Sequence, residues 1–483
     1  MRWSAGRVRH SCSHSLPGSQ RKEHPLPFES TKKKTDSHSH VFYRKHKRPK
    51  PTISHGEGVY LWDTDGKRYI DASGGAVVVN VGHGVREIAD AVREQAAEVA
   101  YAHATMFTSH ALEELAAQLA ARLPLPDARL FFLSSGSEAI ETAVKLARQI
   151  QIARDQPSRY KVIGRWGSYH GATFGAMAVM GKPSMRRTYE PMFLDMPHIP
   201  PVYCYRCPFG LTCSECGLRC ADALEEEIRR QGAETVAAFL AEPVAGATLG
   251  AVVPPDEYWP RLLEICDRYG VLLIADEVMT GMGRTGRWFA VEQWDITPDI
   301  ICLGKGVSGG YLPLSVTAAR GDLVETLWEQ LGDFNHGGTY SHQPVAAAAG
   351  LATIRYLEAH NLIERAREAG ETLGRKLREA FGHHPHVGDI RGQGMMWALE
   401  LVADRETKEP FPPSAKLAGR IFDHAFASGL IVYAMSGCAD GVAGDHVMVA
   451  PPFVVEIWQI NEIIGLLREA IDAAIAEVTA GPQ

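Results

Sequence analysis

Short apolar blocks recur along this chain and alternate with longer stretches in which apolar positions repeat every three to four residues. The blocks lie at Leu130–Leu133, Lys161–Ile163, Val236–Ala241, Val271–Ala275 and Asp299–Leu303. They carry few polar residues, the pattern of strands buried on both faces. Helical spacing fills the intervals, at Val85–Ala100, at His110–Arg122 and at Ala139, Ala143, Leu146, Ala147 and Ile150. Strands separated by helices predict an α/β fold with a mainly parallel sheet covered on both sides. Upstream, two apolar runs flank Asp65-Gly66, which predicts a hairpin over Gly58–Ile70. From about His342 the pattern turns to long helices with short strands, a smaller α+β domain; the alanine-rich run Ala346–Ala352 reads as a tightly packed helix. The expected division is a basic tail over 1–38, the first part of the smaller domain over 39–80, the large domain over 81–338, and the rest of the smaller domain over 339–483.

Charge modifies this picture at one end only. Residues 1–50 carry 13 Lys or Arg against 3 Asp or Glu, whereas the whole chain has a net charge of −7. The body is therefore acidic, which argues against nucleic acid as a partner. No uninterrupted apolar run reaches bilayer-spanning length, which argues against a membrane span. The first 38 residues are rich in Ser, His, Lys and Arg and are expected to be disordered. Their early arginines match the composition of an organelle transit peptide, and a solvated tail is the other reading. The expected location is cytoplasmic, or mitochondrial if the tail is a transit signal.

Two strand ends carry candidate chemistry. The block Val271–Ala275 runs into Asp276, and Asp299–Leu303 runs through Gly304 into Lys305 with further glycines behind it. A lysine able to form a Schiff base and a carboxylate able to hold a pyridinium nitrogen are the two groups pyridoxal phosphate (PLP) needs. Taken singly, each residue also fits a plain surface cap on an apolar strand. After Leu130–Leu133 comes Ser134-Ser135-Gly136-Ser137 and then a helix. That helix N-terminus suits a phosphate, while Ser135 and Glu138 also read as a capping box.

The ordered segments Ser134–Ala139, Tyr169-His-Gly171, Ala241-Glu-Pro-Val244, Asp276–Gly286, Gly304-Lys-Gly306 and His336–Tyr340 resemble the class-III PLP-dependent aminotransferases, from about His40 to about Glu477. The resemblance implies the fold type I of PLP-dependent transferases. It makes Gly136 and Ser137 phosphate ligands, stacks Tyr169 on the pyridine ring and sets Val278 against the opposite face. Asp276 becomes the partner of the ring nitrogen. Lys305 becomes both the cofactor's anchor and the base that moves the substrate proton. Thr339 is placed against the phosphate of a partner subunit, which implies a homodimer or a dimer of dimers. Glu242 and Arg391 are cast as an ion pair that opens when an α-carboxylate arrives. Ser134 departs slightly from the family, which often has Asn there.

The substrate loops are less telling. Gly75 and Ala76 stand where bulkier residues mark amine-specific and biotin-pathway members, and Tyr101–Phe107 is the candidate for compensating bulk. Gly444-Asp-His446 and Ala450-Pro-Pro452 resemble a subgroup known only as general aminotransferases. Five cysteines, Cys204, Cys207, Cys213, Cys216 and Cys220, have a spacing that suggests a zinc ribbon, a reduced packed loop or a lid; no metal is expected in the chemistry. The expected activity is transfer of an amino group from an ω-amino acid or amine to a small 2-oxo acid such as pyruvate, with racemisation, epimerisation or decarboxylation on the same fold as the alternative.

Overall fold

The computed structural model describes residues 39–480 other than 46 and 49. The expectations for residues 1–38, disorder and transit, lie outside the described residues. The chain separates into two units, one ending at Pro51 and one beginning at Thr52. The described part of the first holds no helix or strand; in it Lys50 lies over the Tyr43 ring at 4.3 Å.

The second unit is built on an eight-stranded sheet. Its order is Arg129–Leu133, Ser315–Ala319, Ile300–Leu303, Leu272–Asp276, Val236–Ala241, Lys161–Trp166 and Met180–Gly181, with His198–Ile199 also paired to Lys161–Trp166. The five expected strands are all present within a few residues of their expected ends. Ser315–Ala319, which the apolar pattern did not mark, runs antiparallel to both neighbours, and every other pairing is parallel.

Alternation explains why these strands read as unbroken apolar blocks. Leu272, Ile274, Ile300 and Cys302 pack into the core that holds the helix Gly136–Ala153, whereas Leu273, Ala275, Ile301 and Leu303 face the other core. Both faces are covered, so both sets of positions must be apolar.

Two four-stranded sheets complete the unit. One joins Ile53–Glu57, Tyr60–Asp63, Arg68–Asp71 and Leu430–Ile431, and contains the expected hairpin. The other is antiparallel, in the order Val387–Gln393, Met396–Leu401, Asp445–Val449 and Tyr433–Ser436. The alanine-rich run lies within the helix Pro344–Ala359, which packs on Arg86–Glu98 and His110–Ala120. No helix among the described residues is long and apolar enough to cross a membrane.

Candidate active site

The parallel strands point their carboxyl ends to one edge, where open α/β sheets place ligands. Register fixes what arrives there. Cys302 lies beside Asp276, and Ala241 beside Ala275. Asp276, the Lys305 turn and Glu242 therefore leave adjacent strands at one level. Leu133 pairs with Ser315, and Ser315 Oγ donates to the Ser135 carbonyl at 2.7 Å, which ties the turn before Gly136 to the same edge.

A cavity of about 190 Å³ opens at this edge. Of the nine candidate residues, Gly136, Ser137, Tyr169, Glu242, Asp276, Val278 and Lys305 all line it, together with His170, Ala247 and Met279. Asp276 is only 4% exposed. Its Oδ2 lies 2.7 Å from His170 Nδ1, and its Oδ1 accepts from the Val278 amide at 3.0 Å. Lys305 opens a short 3-10 turn with φ +45°, a left-handed conformation that costs a lysine energy and is characteristic of functional sites. Burial lowers its ammonium pKa to about 8, against the opposing pull of Asp276 and Glu242.

The capping-box reading of the Ser134–Ser137 turn holds. Ser135 and Glu138 form the capping box, with Ser135 Oγ accepting from the Glu138 amide. That leaves the amides of Gly136 and Ser137, at the head of an 18-residue helix, without an acceptor among the described residues. A Cβ on Gly136 would stand 2.8 Å from Val278 Cγ1, so only glycine lets the helix start approach Val278 this closely. Free helix amides, a buried carboxylate and a lysine of lowered pKa on one cavity are a donor set that fits the phosphate, ring nitrogen and aldehyde of PLP.

Two candidates fall outside the cavity. Thr339 lies on an exposed loop. Arg391 does not pair with Glu242, contrary to the expectation. Its Nη1 meets Asp389 Oδ2 at 2.8 Å and Glu400 Oε2 at 2.7 Å, its Nε donates to the Gly250 carbonyl at 2.7 Å, and its Nη2 donates to the Leu249 carbonyl. The cause is sheet register. Arg391 opposes Ala398 across an antiparallel pair, so Glu400 is its diagonal neighbour and Asp389 its neighbour on the same strand face. Glu242 instead has Arg165 Nη2 at 4.0 Å, and its Oε2 is buried without a hydrogen-bond partner. Burial raises the Glu242 carboxyl above its ordinary range.

His170 also lines the cavity, although the sequence offered no role for it. Its place between Tyr169 and Gly171 carried the signal, but only the fold shows that it faces Asp276. The motif residue Arg284 is structural: it is buried and donates to the carbonyls of Val79, Met395, Ala450 and Pro451. The five cysteines line one small apolar cavity, with Cys204 Sγ and Cys213 Sγ 3.6 Å apart. Among the described residues no group of three or more His, Cys, Asp or Glu is arranged to hold a metal ion.

Comparison with known proteins agrees with this geometry. The family profile described as aminotransferase class-III matches residues 42–471. The putrescine–pyruvate aminotransferase of Pseudomonas aeruginosa is 38% identical over 430 residues, covering 89% of this chain and 92% of that protein. An (S)-enantioselective omega-transaminase of Thermomicrobium roseum superposes with a TM-score of 0.82 at 38% identity, covering 92% of this chain and 96% of that one. A PLP-bound aminotransferase mutant of Vibrio fluvialis gives 0.84 at 32% identity, over 90% and 94% of the two chains. This chain thus belongs to the class-III aminotransferases, enzymes that use pyridoxal phosphate to transfer amino groups.

Proposed function

We propose that the protein transfers an amino group from an ω-amino acid or amine to a small 2-oxo acid such as pyruvate. The observation that carries this reading is the convergence of Lys305, Asp276, Tyr169, Val278 and the Gly136–Ser137 amides on one cavity. The named substrates of the Pseudomonas relative and the omega-transaminase likeness support the choice of donor and acceptor.

Bound PLP supplies an electron sink that acidifies the C–H bond beside the substrate nitrogen. The chain's own residues do the rest. Asp276, oriented by His170 and the Val278 amide, gives a fixed negative charge for the ring nitrogen. The free amides of Gly136 and Ser137 hold the phosphate. Tyr169 and Val278 confine the ring. Lys305 Nζ would anchor the cofactor and is the group that would move the substrate proton; its lowered pKa keeps a useful share of the neutral amine near neutrality. Glu242 lines the same cavity as a buried carboxyl beside Arg165. A donor screen tests the reading: holoenzyme and pyruvate are supplied with each candidate amine, and alanine formation is followed. Terminal amines such as putrescine are expected to give alanine. An amine consumed without alanine appearing would mean racemisation or decarboxylation instead.

The same reading makes the working enzyme a homodimer or a dimer of dimers, with Thr339 reaching the neighbouring subunit's phosphate. Exposed Tyr101, Met106, Phe107 and Tyr340 support a covered face, and the Tyr101 and Tyr340 rings lie 6.2 Å apart near Thr339. Mixing inactive Lys305→Ala subunits with inactive Thr339→Trp subunits is expected to restore activity through hybrid sites. A fully active monomer in sedimentation would overturn the shared site.

A further inference from the structure

A second cavity, of about 310 Å³, shares no lining residue with the first, yet neighbouring stretches of chain build both. Ala247 lines the first, and Thr248 and Leu249 line the second. The turn that delivers Tyr169 to the first starts from Trp166 and Gly167 in the second, and Thr248 Oγ1 donates to the Gly167 carbonyl. The second cavity thus adjoins the site without containing the reacting groups.

Its wall holds an unpaired cation. Lys182 is 8% exposed, and its ammonium has no hydrogen-bond or ion-pair partner among the described residues. Arg206, which lines the same cavity, also has a buried Nη2 without a partner. A buried, unpaired ammonium is expensive, so two unsatisfied cationic donors on one cavity need an explanation.

The surrounding charges are paired around Lys182 and not with it. Arg391 and Arg206 share Glu400, and Arg391 also takes Asp389. With Lys182 and the cavity-lining Asp440 that makes three cations and three carboxylates, yet among the described residues none of these carboxylates lies within ion-pair distance of the Lys182 ammonium. His446 adds no negative charge and no positive one, because burial lowers its pKa to about 3. Burial likewise keeps the Cys438 thiol protonated, and Tyr203 is held as the phenol. Asp440 lies exposed at the rim, where its Oδ1 accepts from the Val442 and Ala443 amides at 2.8 and 2.7 Å. The Lys182 ammonium is therefore the cation of this group with no carboxylate beside it. The loop beside it is packed tightly: a Cβ on Gly441, which has φ +90°, would stand 2.9 Å from Pro183 Cγ.

We propose that this second cavity receives a carboxylate carried at the far end of the amino donor, with Lys182 as its counter-ion and Arg206 as a second hydrogen-bond donor. The inference rests on the amino-donor reading above and narrows the donor from amines in general to ω-amino acids. Because the cavity excludes the residues around Lys305, it suits a carboxylate several bonds from the transferred nitrogen and not the α-carboxylate of pyruvate. Lys182 is then a specificity residue that takes no part in proton transfer.

The test pairs donors of equal length, from 3-aminopropanoate to 6-aminohexanoate against the corresponding alkylamines, with holoenzyme and pyruvate. Lys182→Met is expected to lower kcat/KM for the preferred ω-amino acid about a hundredfold, the usual scale for losing a buried charged contact, and to leave the matched alkylamine within about twofold. Lys182→Arg should retain most of the ω-amino acid activity. A readout without turnover accompanies it: an unreactive carboxylate such as butanoate should bind wild-type holoenzyme at least about tenfold more tightly than butyramide, and Lys182→Met should erase the difference. Equal losses on both donor types, unchanged ω-amino acid activity, or equal binding of butanoate and butyramide to the wild type would each overturn the proposal. If the wild type accepts no amine at all, the donor reading has failed, and the butanoate comparison still decides what Lys182 binds.

Discussion

Asp276→Ala is expected to lower turnover by about 10³-fold, the scale seen when a preorganised electrostatic group is removed from a dry site, while the protein still folds and still takes up PLP. The size of the effect follows from its surroundings. Asp276 is almost fully buried at the end of a central strand, with His170 on one oxygen and the Val278 amide on the other. Both contacts fix the carboxylate in one orientation, so the cofactor meets a charge that needs no rearrangement. Alanine leaves His170 and the Val278 amide without their partner, which adds a stability cost. Asp276→Asn separates the two effects, because an amide oxygen can still accept from Val278 and the side chain keeps its shape. Asn should fold like the wild type and lose nearly as much rate as Ala. Cofactor content and initial rates measured on both variants check this. Turnover within tenfold of wild type in Asp276→Asn would show that the charge is supplied by another residue.

Arg391→Ala is expected to act on stability and not on substrate choice. Glu400 is fully buried and shares its two oxygens among Tyr203, Arg206 and Arg391. These partners hold its carboxyl below the ordinary range despite burial. Removing Arg391 leaves Glu400 and Asp389 short of a cation and strips hydrogen bonds from the Leu249 and Gly250 carbonyls. Breaking a buried ion pair from one side costs about 3–5 kcal/mol, to be read from the urea midpoint of the holoenzyme. Because the loop that Arg391 holds at Leu249 and Gly250 also carries Ala247 of the first cavity, which donor and acceptor share, rates with donor and with pyruvate should fall together. An unshifted midpoint with a selective loss of the pyruvate half-reaction would restore Arg391 as the reader of the α-carboxylate.

The contrast between Asp276 and Arg391 shows where local sequence suffices. Asp276 and Lys305 end apolar blocks of a parallel sheet, and such a sheet delivers the ends of its strands to one edge. Naming the strands therefore nearly names the site. Arg391 lies in a hairpin whose tight turn at Gly394–Met395 sets the register, so its pairing with Glu400 was within reach of the sequence. The family resemblance pointed instead to Glu242, which follows a strand of a different sheet.

By itself the sequence determined the buried parallel strands and the helix that follows Ser135, because each depends on local periodicity; strand ends marked Asp276 and Lys305, and the family resemblance of the motifs supplied the cofactor and the roles of the other cavity-lining candidates. Ser315–Ala319 escaped it, since a run of small residues becomes a strand here only by lying between Arg129–Leu133 and Ile300–Leu303. Tertiary structure alone decided that His170 faces Asp276, that Glu242 sits by Arg165, and that Lys182, Arg206 and the Cys438 loop share a cavity with one unpaired charge. Those residues come from distant parts of the chain. Burial, which sets the cost of an unmatched charge, is a property of the whole fold and leaves no trace in a local pattern.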